Sequence, residues 1–271
     1  MIPIVASVTP NQTKFGPLLF PGELERAIQE LGDLGYDGIE LSLRTVRDIN
    51  QEELKKQLNR AKLRLISVAT GQSFIEDGYA LFHHDALIRS KTVARLKQFI
   101  DLVADFGGDT VILGGIRGNL DYPDRKQQFK WGSEAIDQCL AHAEKKKVML
   151  VLEAINRYET NLMNTVADCV EFVSRWNSPY LKVLADTFHM NIEEVSLKAT
   201  LDMYAESIGT IHTADSNRLA PGMGHINFNV VLQDIRNYPH LQYLGVEIMP
   251  LPNSSICADT AIRELKHVIQ G

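Results

Sequence analysis

Short apolar runs without strict alternation of polar and apolar positions recur along the chain, the pattern of parallel strands buried on both faces. Eight such runs predict strands over Ile2–Val8, Asp37–Leu43, Arg64–Gly71, Asp109–Gly114, Val148–Ile155, Leu181–Phe188, Ile208–Ala214 and Tyr243–Met249. Between them the spacing becomes helical. Leu24, Ile28 and Leu31 fall at i, i+4 and i+7, and Leu96, Ile100 and Val103 repeat the pattern. Further helices are predicted over Gln51–Lys62, Gly132–Lys146, Thr165–Trp176, Glu193–Ser207, Phe228–Asn237 and Ala258–Ile269, with Gly35 and Gly107-Gly108 at helix ends that need a left-handed residue. Eight strand-then-helix units with no low-complexity linker predict an α/β fold, a single (β/α)8 barrel over residues 1–271. A doubly wound sheet would carry Gly-x-Gly-x-x-Gly after its first strand; here Gly114-Gly115-Ile116-Arg117-Gly118 follows the fourth and is a different motif.

Composition narrows the function classes. With 271 residues, 45% hydrophobic and 23% charged, the chain is neither disordered, collagen-like nor coiled-coil. Its net charge of −6 argues against a nucleic-acid partner. Cys139, Cys169 and Cys257 are widely spaced and form no C-x-x-C pair, so reduced core thiols in a cytoplasmic protein are expected. The apolar N-terminus lacks a basic region, and no segment approaches the roughly 20 apolar residues that span a bilayer, so no membrane partner is expected.

Four consecutive predicted strands end in groups that carry chemistry: Glu153, Asp186, His212 and Glu247. In a barrel, residues at the C-terminal strand ends meet on one face. A lone strand-end carboxylate is ordinarily a helix cap or a solvated loop residue, and a lone histidine a hydrogen-bonded core residue; four at equivalent places point elsewhere. Three carboxylates together repel and raise one another's pKa unless a cation lies between them. An oxygen-rich set with one imidazole suits one divalent ion, Mn²⁺, Mg²⁺ or Co²⁺, better than a thiolate-type zinc site. Glu159, His189, Asp215 and Arg218 lie close by in sequence, and Pro221-Gly222-Met223-Gly224-His225 reads as a turn over the site. His189, three residues past Asp186, is expected in the loop above the strand. Asp215 and His225 are expected to be structural, and Arg218 is open between a surface ion pair and the site.

The segments Gly35-Tyr36-Asp37-Gly38-Ile39-Glu40-Leu41, Leu152-Glu153-Ala154-Ile155-Asn156-Arg157-Tyr158-Glu159-Thr160, Asp186-Thr187-Phe188-His189-Met190-Asn191-Ile192-Glu193-Glu194, His212-Thr213-Ala214-Asp215-Ser216-Asn217-Arg218 with Pro221-Gly222-Met223-Gly224, and Gly245-Val246-Glu247 make the chain recognisable. It resembles the xylose-isomerase-like sugar isomerase/epimerase superfamily, and within it the D-tagatose 3-epimerase-like ketose epimerases. The resemblance implies a TIM barrel and one Mn²⁺-like ion on Glu153, Asp186, His212 and Glu247. It also implies sugar contacts from Glu159, His189 and Arg218, Phe188 in the site wall, and a homodimer or homotetramer. The activity implied is epimerisation of a ketose or keto-sugar derivative. Glu153 or Glu247 removes the proton beside the carbonyl, a cis-enediolate forms with stabilisation from the ion, His189 and Arg218, and the other glutamate reprotonates the opposite face.

One segment departs from those epimerases. Arg117, on a glycine-flanked loop after strand four, is a candidate substrate contact for a carboxylate or phosphate, or else a rim ion pair with Asp121 or Asp124; Arg44 is a weaker candidate of the same kind. An anionic substrate such as a sugar acid would favour a hydroxypyruvate isomerase-like or aldose–ketose isomerase reading. Endonuclease IV-like repair proteins share the Asp-x-x-His string but need histidines after strands three and four, where this chain has Thr70-Gly71-Gln72 and Gly114-Gly115. A barrel that only binds its ligand is the non-enzymatic alternative; the intact ligand set argues against it. His83-His84 and Glu40 are open between site wall and structural roles.

Overall fold

Parallel strands need crossover connections, and a strand buried on both faces needs helices outside the sheet and side chains filling the inside. A computed structural model of the chain, describing residues 2–270, meets both needs with eight strands closed in sequence order: β1 (Ile4–Val8), β2 (Gly38–Ser42), β3 (Arg64–Ala69), β4 (Thr110–Leu113), β5 (Met149–Glu153), β6 (Leu181–Asp186), β7 (Ile208–His212) and β8 (Tyr243–Val246). Every neighbouring pair is parallel, and β1 closes the ring against β8 with Val5 opposite Gly245. The helices are α1 (Leu24–Leu34), α2 (Gln51–Ala61), α3 (Gly71–Asp77), α4 (Ala86–Asp105), α5 (Arg125–Lys146), α6 (Val166–Val173), α7 (Thr187–Glu193), α8 (Leu197–Met203), α9 (Phe228–Val231) and α10 (Ser254–Gln270). Residues 1 and 271 of the expected domain lie outside the described residues.

The eight predicted strands are all present, each trimmed by a few residues. The helices after β6 depart most from expectation. A single helix over Glu193–Ser207 is replaced by α7, which starts directly from β6, and by α8. The cause is side-chain capping: Asp186 accepts the backbone N–H of Phe188 at 2.8 Å and of His189 at 3.4 Å, and Ser196 accepts that of Ala199. His189 therefore sits in the first turn of a helix, not in a loop. The predicted helix over Phe228–Asn237 shrinks to one turn and a 3-10 segment. Gly35 takes φ 79° and closes α1 by donating to the Gly32 and Leu31 carbonyls.

All three cysteines are free and buried, and burial pushes the thiols of Cys139 and Cys169 up to about 12. No helix among the described residues is long and apolar enough to cross a membrane. Outside the barrel, Phe82, Phe129, Phe172 and Trp176 pack in tilted and edge-to-face pairs with ring centroids 4.9–6.0 Å apart. Gly132 in α5 lies flat against Phe82, where a β-carbon would enter the ring. Gly132→Ala is therefore expected to destabilise the protein by about 1–3 kcal/mol through overpacking, read as a lower urea midpoint at unchanged slope.

Candidate active site

Register brings the four strand-end groups together. Asp186 pairs with His212 across β6 and β7, His212 pairs with Gly245 across β7 and β8, Glu153 ends β5, and Glu247 follows β8. Glu153, Asp186, His212 and Glu247 are all buried, and one ligand atom of each lies within 4.8 Å of the others. That span fits the coordination shell of one ion.

The chemistry of the donors fits a divalent cation. His212 Nε2 faces Glu40 Oε2 at 3.3 Å, while His212 Nδ1 is buried with no hydrogen-bond partner among the described residues. Nδ1 lies 3.7 Å from Glu247 Oε2 and 3.9 Å from Asp186 Oδ2. A neutral ring donating Nε2–H to Glu40 leaves the Nδ1 lone pair aimed between the two carboxylates, the carboxylate–histidine–metal arrangement. Glu40 is itself fixed, accepting from Ser7 Oγ at 2.7 Å and Tyr243 OH at 2.6 Å. Four buried carboxylates (Glu40, Glu153, Asp186 and Glu247) face two buried guanidiniums (Arg117 and Arg218), an excess that one divalent ion cancels. Without that ion, burial and the charges of Glu247 and Asp186 push Glu153 up to about 8. Burial also raises Asp186, despite Arg218 and His212 beside it.

Two glycines keep the space open. A β-carbon on Gly114 would stand 2.5 Å from Glu153 Oε2, and one on Gly245 would stand 2.8 Å from His212 Nε2. Neither glycine takes a positive φ. Each marks a close approach of a functional side chain to backbone, a need that runs across strands and leaves no local signature.

A cavity of about 520 Å³ borders Glu153 and Glu247. Glu159, His189 and Arg218 also line it, together with the apolar Phe15, Phe74, Ile75 and Met249. Arg218, at φ 63°, donates through Nη1 to Asp186 Oδ2 at 2.8 Å and through Nη2 to Glu247 Oε2, with its guanidinium over the Phe188 ring. It belongs to the site. His189 is buried, and burial together with the Arg218 and Arg117 charges holds it well below the ordinary histidine range. Its Nε2 lies 3.7 Å from Glu153 Oε1.

Arg117 does not make the expected rim ion pair. It is fully buried at the edge of the cavity and pairs with neither Asp121 nor Asp124. Nη1 donates to the Glu153 carbonyl and Nη2 to the Met163 carbonyl at 3.3 Å, tying the end of β5 to the following loop. Arg44 is an exposed partner of Asp77 at 2.5 Å. His83 and His84 stack on each other and do not line the cavity. The 221–225 turn does not line it either. Buried Asp215 gathers that turn by accepting from the backbone of Ser216, Gly222 and Ile226.

Three residues take roles here that their sequence neighbourhoods did not assign. Glu40 orients His212, Arg117 braces Glu153, and Asn156 holds His189. The strings Gly38-Ile39-Glu40 and Glu153-Ala154-Ile155-Asn156 contained two of them, but their partners lie 172 and 33 residues away.

Known proteins resemble this chain over most of its length. The model of the xylose isomerase-like TIM barrel family matches residues 28–261. The chain is 32% identical over 228 residues to an L-ribulose 3-epimerase of Mesorhizobium japonicum, covering 83% of this chain and 75% of that one. It is 29% identical over 244 residues to a D-psicose 3-epimerase of Agrobacterium fabrum, covering 87% and 78%. A crystal structure of a D-allulose 3-epimerase from Methylomonas superposes with a TM-score of 0.83 over 99% of both chains at 21% identity.

The raised Glu153 carboxyl sets a sign for stability. Between its ordinary 4.5 and about 8, the folded protein holds a proton that the unfolded chain gives up, so stability falls as pH rises through that window. The cation-stripped protein should therefore melt earlier toward the alkaline end, and Mn²⁺ should raise the melting temperature more there than at the acid end. Equal increments at both ends would count against an ion between these carboxylates. Glu40→Gln should weaken Mn²⁺ binding by about 10–100-fold, read by calorimetry, while circular dichroism stays unchanged.

Proposed function

This chain belongs to the xylose isomerase-like TIM barrel family, and from that premise we propose that it is a metal-dependent ketose epimerase that inverts the carbon beside the carbonyl, C3. The observation that carries the reading is that two buried glutamates from non-adjacent strands, Glu153 and Glu247, both border one cation slot and one cavity. Relatives that are 3-epimerases of D-psicose and L-ribulose support C3 as the carbon. Glu153, Asp186, His212 and Glu247 would hold one divalent ion, Mn²⁺ by donor type with Mg²⁺ or Co²⁺ able to replace it, and when bound it supplies Lewis-acid polarisation of the sugar carbonyl.

The residues then divide the work. One glutamate, as carboxylate, takes the C3 proton, and the electron pair left behind moves toward the C2 oxygen to give an enediolate. Neutral His189 and cationic Arg218 line the cavity and offer N–H donors to that negative charge. The other glutamate delivers a proton to C3 from the opposite face, and a planar intermediate so treated emerges with C3 inverted. Glu159, which also lines the cavity, would accept from sugar hydroxyls.

The substrate class follows from the charges. Arg117, the residue that favoured an anion, borders the cavity but spends its guanidinium on backbone carbonyls, and three glutamates face the cavity against Arg117, Arg218 and Lys14. With one divalent ion added to these groups and Asp186, the site is near neutrality. A neutral ketose suits it better than a sugar acid or phosphate.

In D₂O, the Mn²⁺-loaded protein should exchange deuterium into C3 of a neutral ketose, read by NMR. Glu153→Gln and Glu247→Gln should each slow that exchange by about 10²–10⁴-fold with the fold intact. Exchange retained in both variants would overturn the two-glutamate mechanism. Exchange at C1 would make the protein an aldose–ketose isomerase, and exchange confined to anionic sugars would overturn the neutral substrate.

A further inference from the structure

His189 serves the proposed reaction only if its Nε2 carries a proton. The imidazole is buried, and a neighbour that donates to one ring nitrogen requires that nitrogen to be bare and the N–H to sit on the other. That neighbour is Asn156, three residues beyond β5 and 1% exposed. Its Nδ2 lies 2.7 Å from His189 Nδ1 and 3.0 Å from Glu159 Oε1, while its Oδ1 accepts the backbone N–H of Tyr158 at 2.9 Å. The Tyr158 N–H fixes the amide orientation, because a turned amide would set NH₂ against N–H. An amide nitrogen only donates, so both hydrogens of Nδ2 are spent: one on Glu159, the other on the Nδ1 lone pair of His189.

We propose that Asn156 is a positioning residue that locks His189 in the Nε2–H tautomer, with that N–H presented to the substrate oxygens, and holds Glu159 beside it on the same amide. The assignment rests on the epimerase reading for its part in turnover, while the tautomer is a property of the protein alone. Asn156 touches no reacting atom. It acts through two side chains that do, and its backbone carbonyl accepts from Glu159 and Thr160, so turn and fork are one unit. A carboxylate in the same place would accept where the amide donates. It would draw the His189 proton to Nδ1 and leave Nε2 as an acceptor facing a developing anion.

The test is the ring-nitrogen pattern of His189 in ¹⁵N-labelled full-length protein, assigned by the signals lost in His189→Gln. The wild-type protein should show a protonated Nε2 and a bare Nδ1. Asn156→Asp should put a proton on Nδ1, and Asn156→Ala should give a mixture of tautomers. With a neutral ketose, Asn156→Asp should lower kcat by about 10–100-fold and change KM far less. A wild-type pattern with the proton on Nδ1 overturns the proposal without any variant, as does an Asn156→Asp pattern identical to wild type. Full turnover in Asn156→Asp despite a flipped tautomer overturns its part in the reaction. Wild-type protein inert on every ketose would instead sink the epimerase reading and leave the nitrogen pattern to decide the tautomer.

Discussion

Like charges crowded into a buried space govern this molecule. Glu40, Glu153, Asp186 and Glu247 meet at one end of the barrel, each almost wholly removed from water. A buried carboxylate is tolerated only if it is paired, hydrogen-bonded or protonated. Three of these solutions are visible. Glu40 takes hydrogen bonds from Ser7, Tyr243 and His212. Asp186 takes two backbone N–H groups and one arm of Arg218, whose other arm goes to Glu247. Glu153 has the fewest partners and is pushed toward its protonated form. A divalent ion would resolve what remains, and the same ion would make the site reactive. Stability and chemistry are thus coupled through one charge balance.

The rest of the site holds those charges in place. The barrel sets the strand ends, but aiming the side chains falls to groups outside the ligand set. Asp186 is both a prospective ligand and the cap of α7, so the helix that carries His189 starts at the metal slot itself. Arg117 fastens the carbonyl of Glu153, Glu40 turns the ring of His212, and Gly114 and Gly245 remove the β-carbons that would stand in the way. Second partners of this kind commonly tune affinity and rate as much as the ligands do. They also show why a fully buried arginine is a poor indicator of an anionic substrate. Its charge is directed at the protein's own carbonyls.

The strand count, the order of strands and helices and the four strand-end groups were legible in the sequence. Each rests on a local rule: apolar runs for strands, helical spacing between them, and an ionisable residue ending an otherwise apolar run. The readings of Arg117, the helix after β6 and the 221–225 turn were not legible in the same way, since each turned on a partner distant in sequence. Arg117 could be placed only by knowing that Glu153 and Met163 lie behind it, and α7 only by knowing that the Asp186 side chain turns back onto the backbone.

The sequence by itself determined that this is a barrel and that a carboxylate-rich, histidine-bearing centre sits at its C-terminal face, because periodicity and strand-end position are properties of short segments. The tertiary structure decided which groups touch. It gave Glu40 to His212, Asn156 to His189 and Arg117 to the backbone, and it set Arg218 between Asp186 and Glu247. Those pairings depend on distances of a few ångströms between residues far apart in the chain, which only closure of the barrel sets.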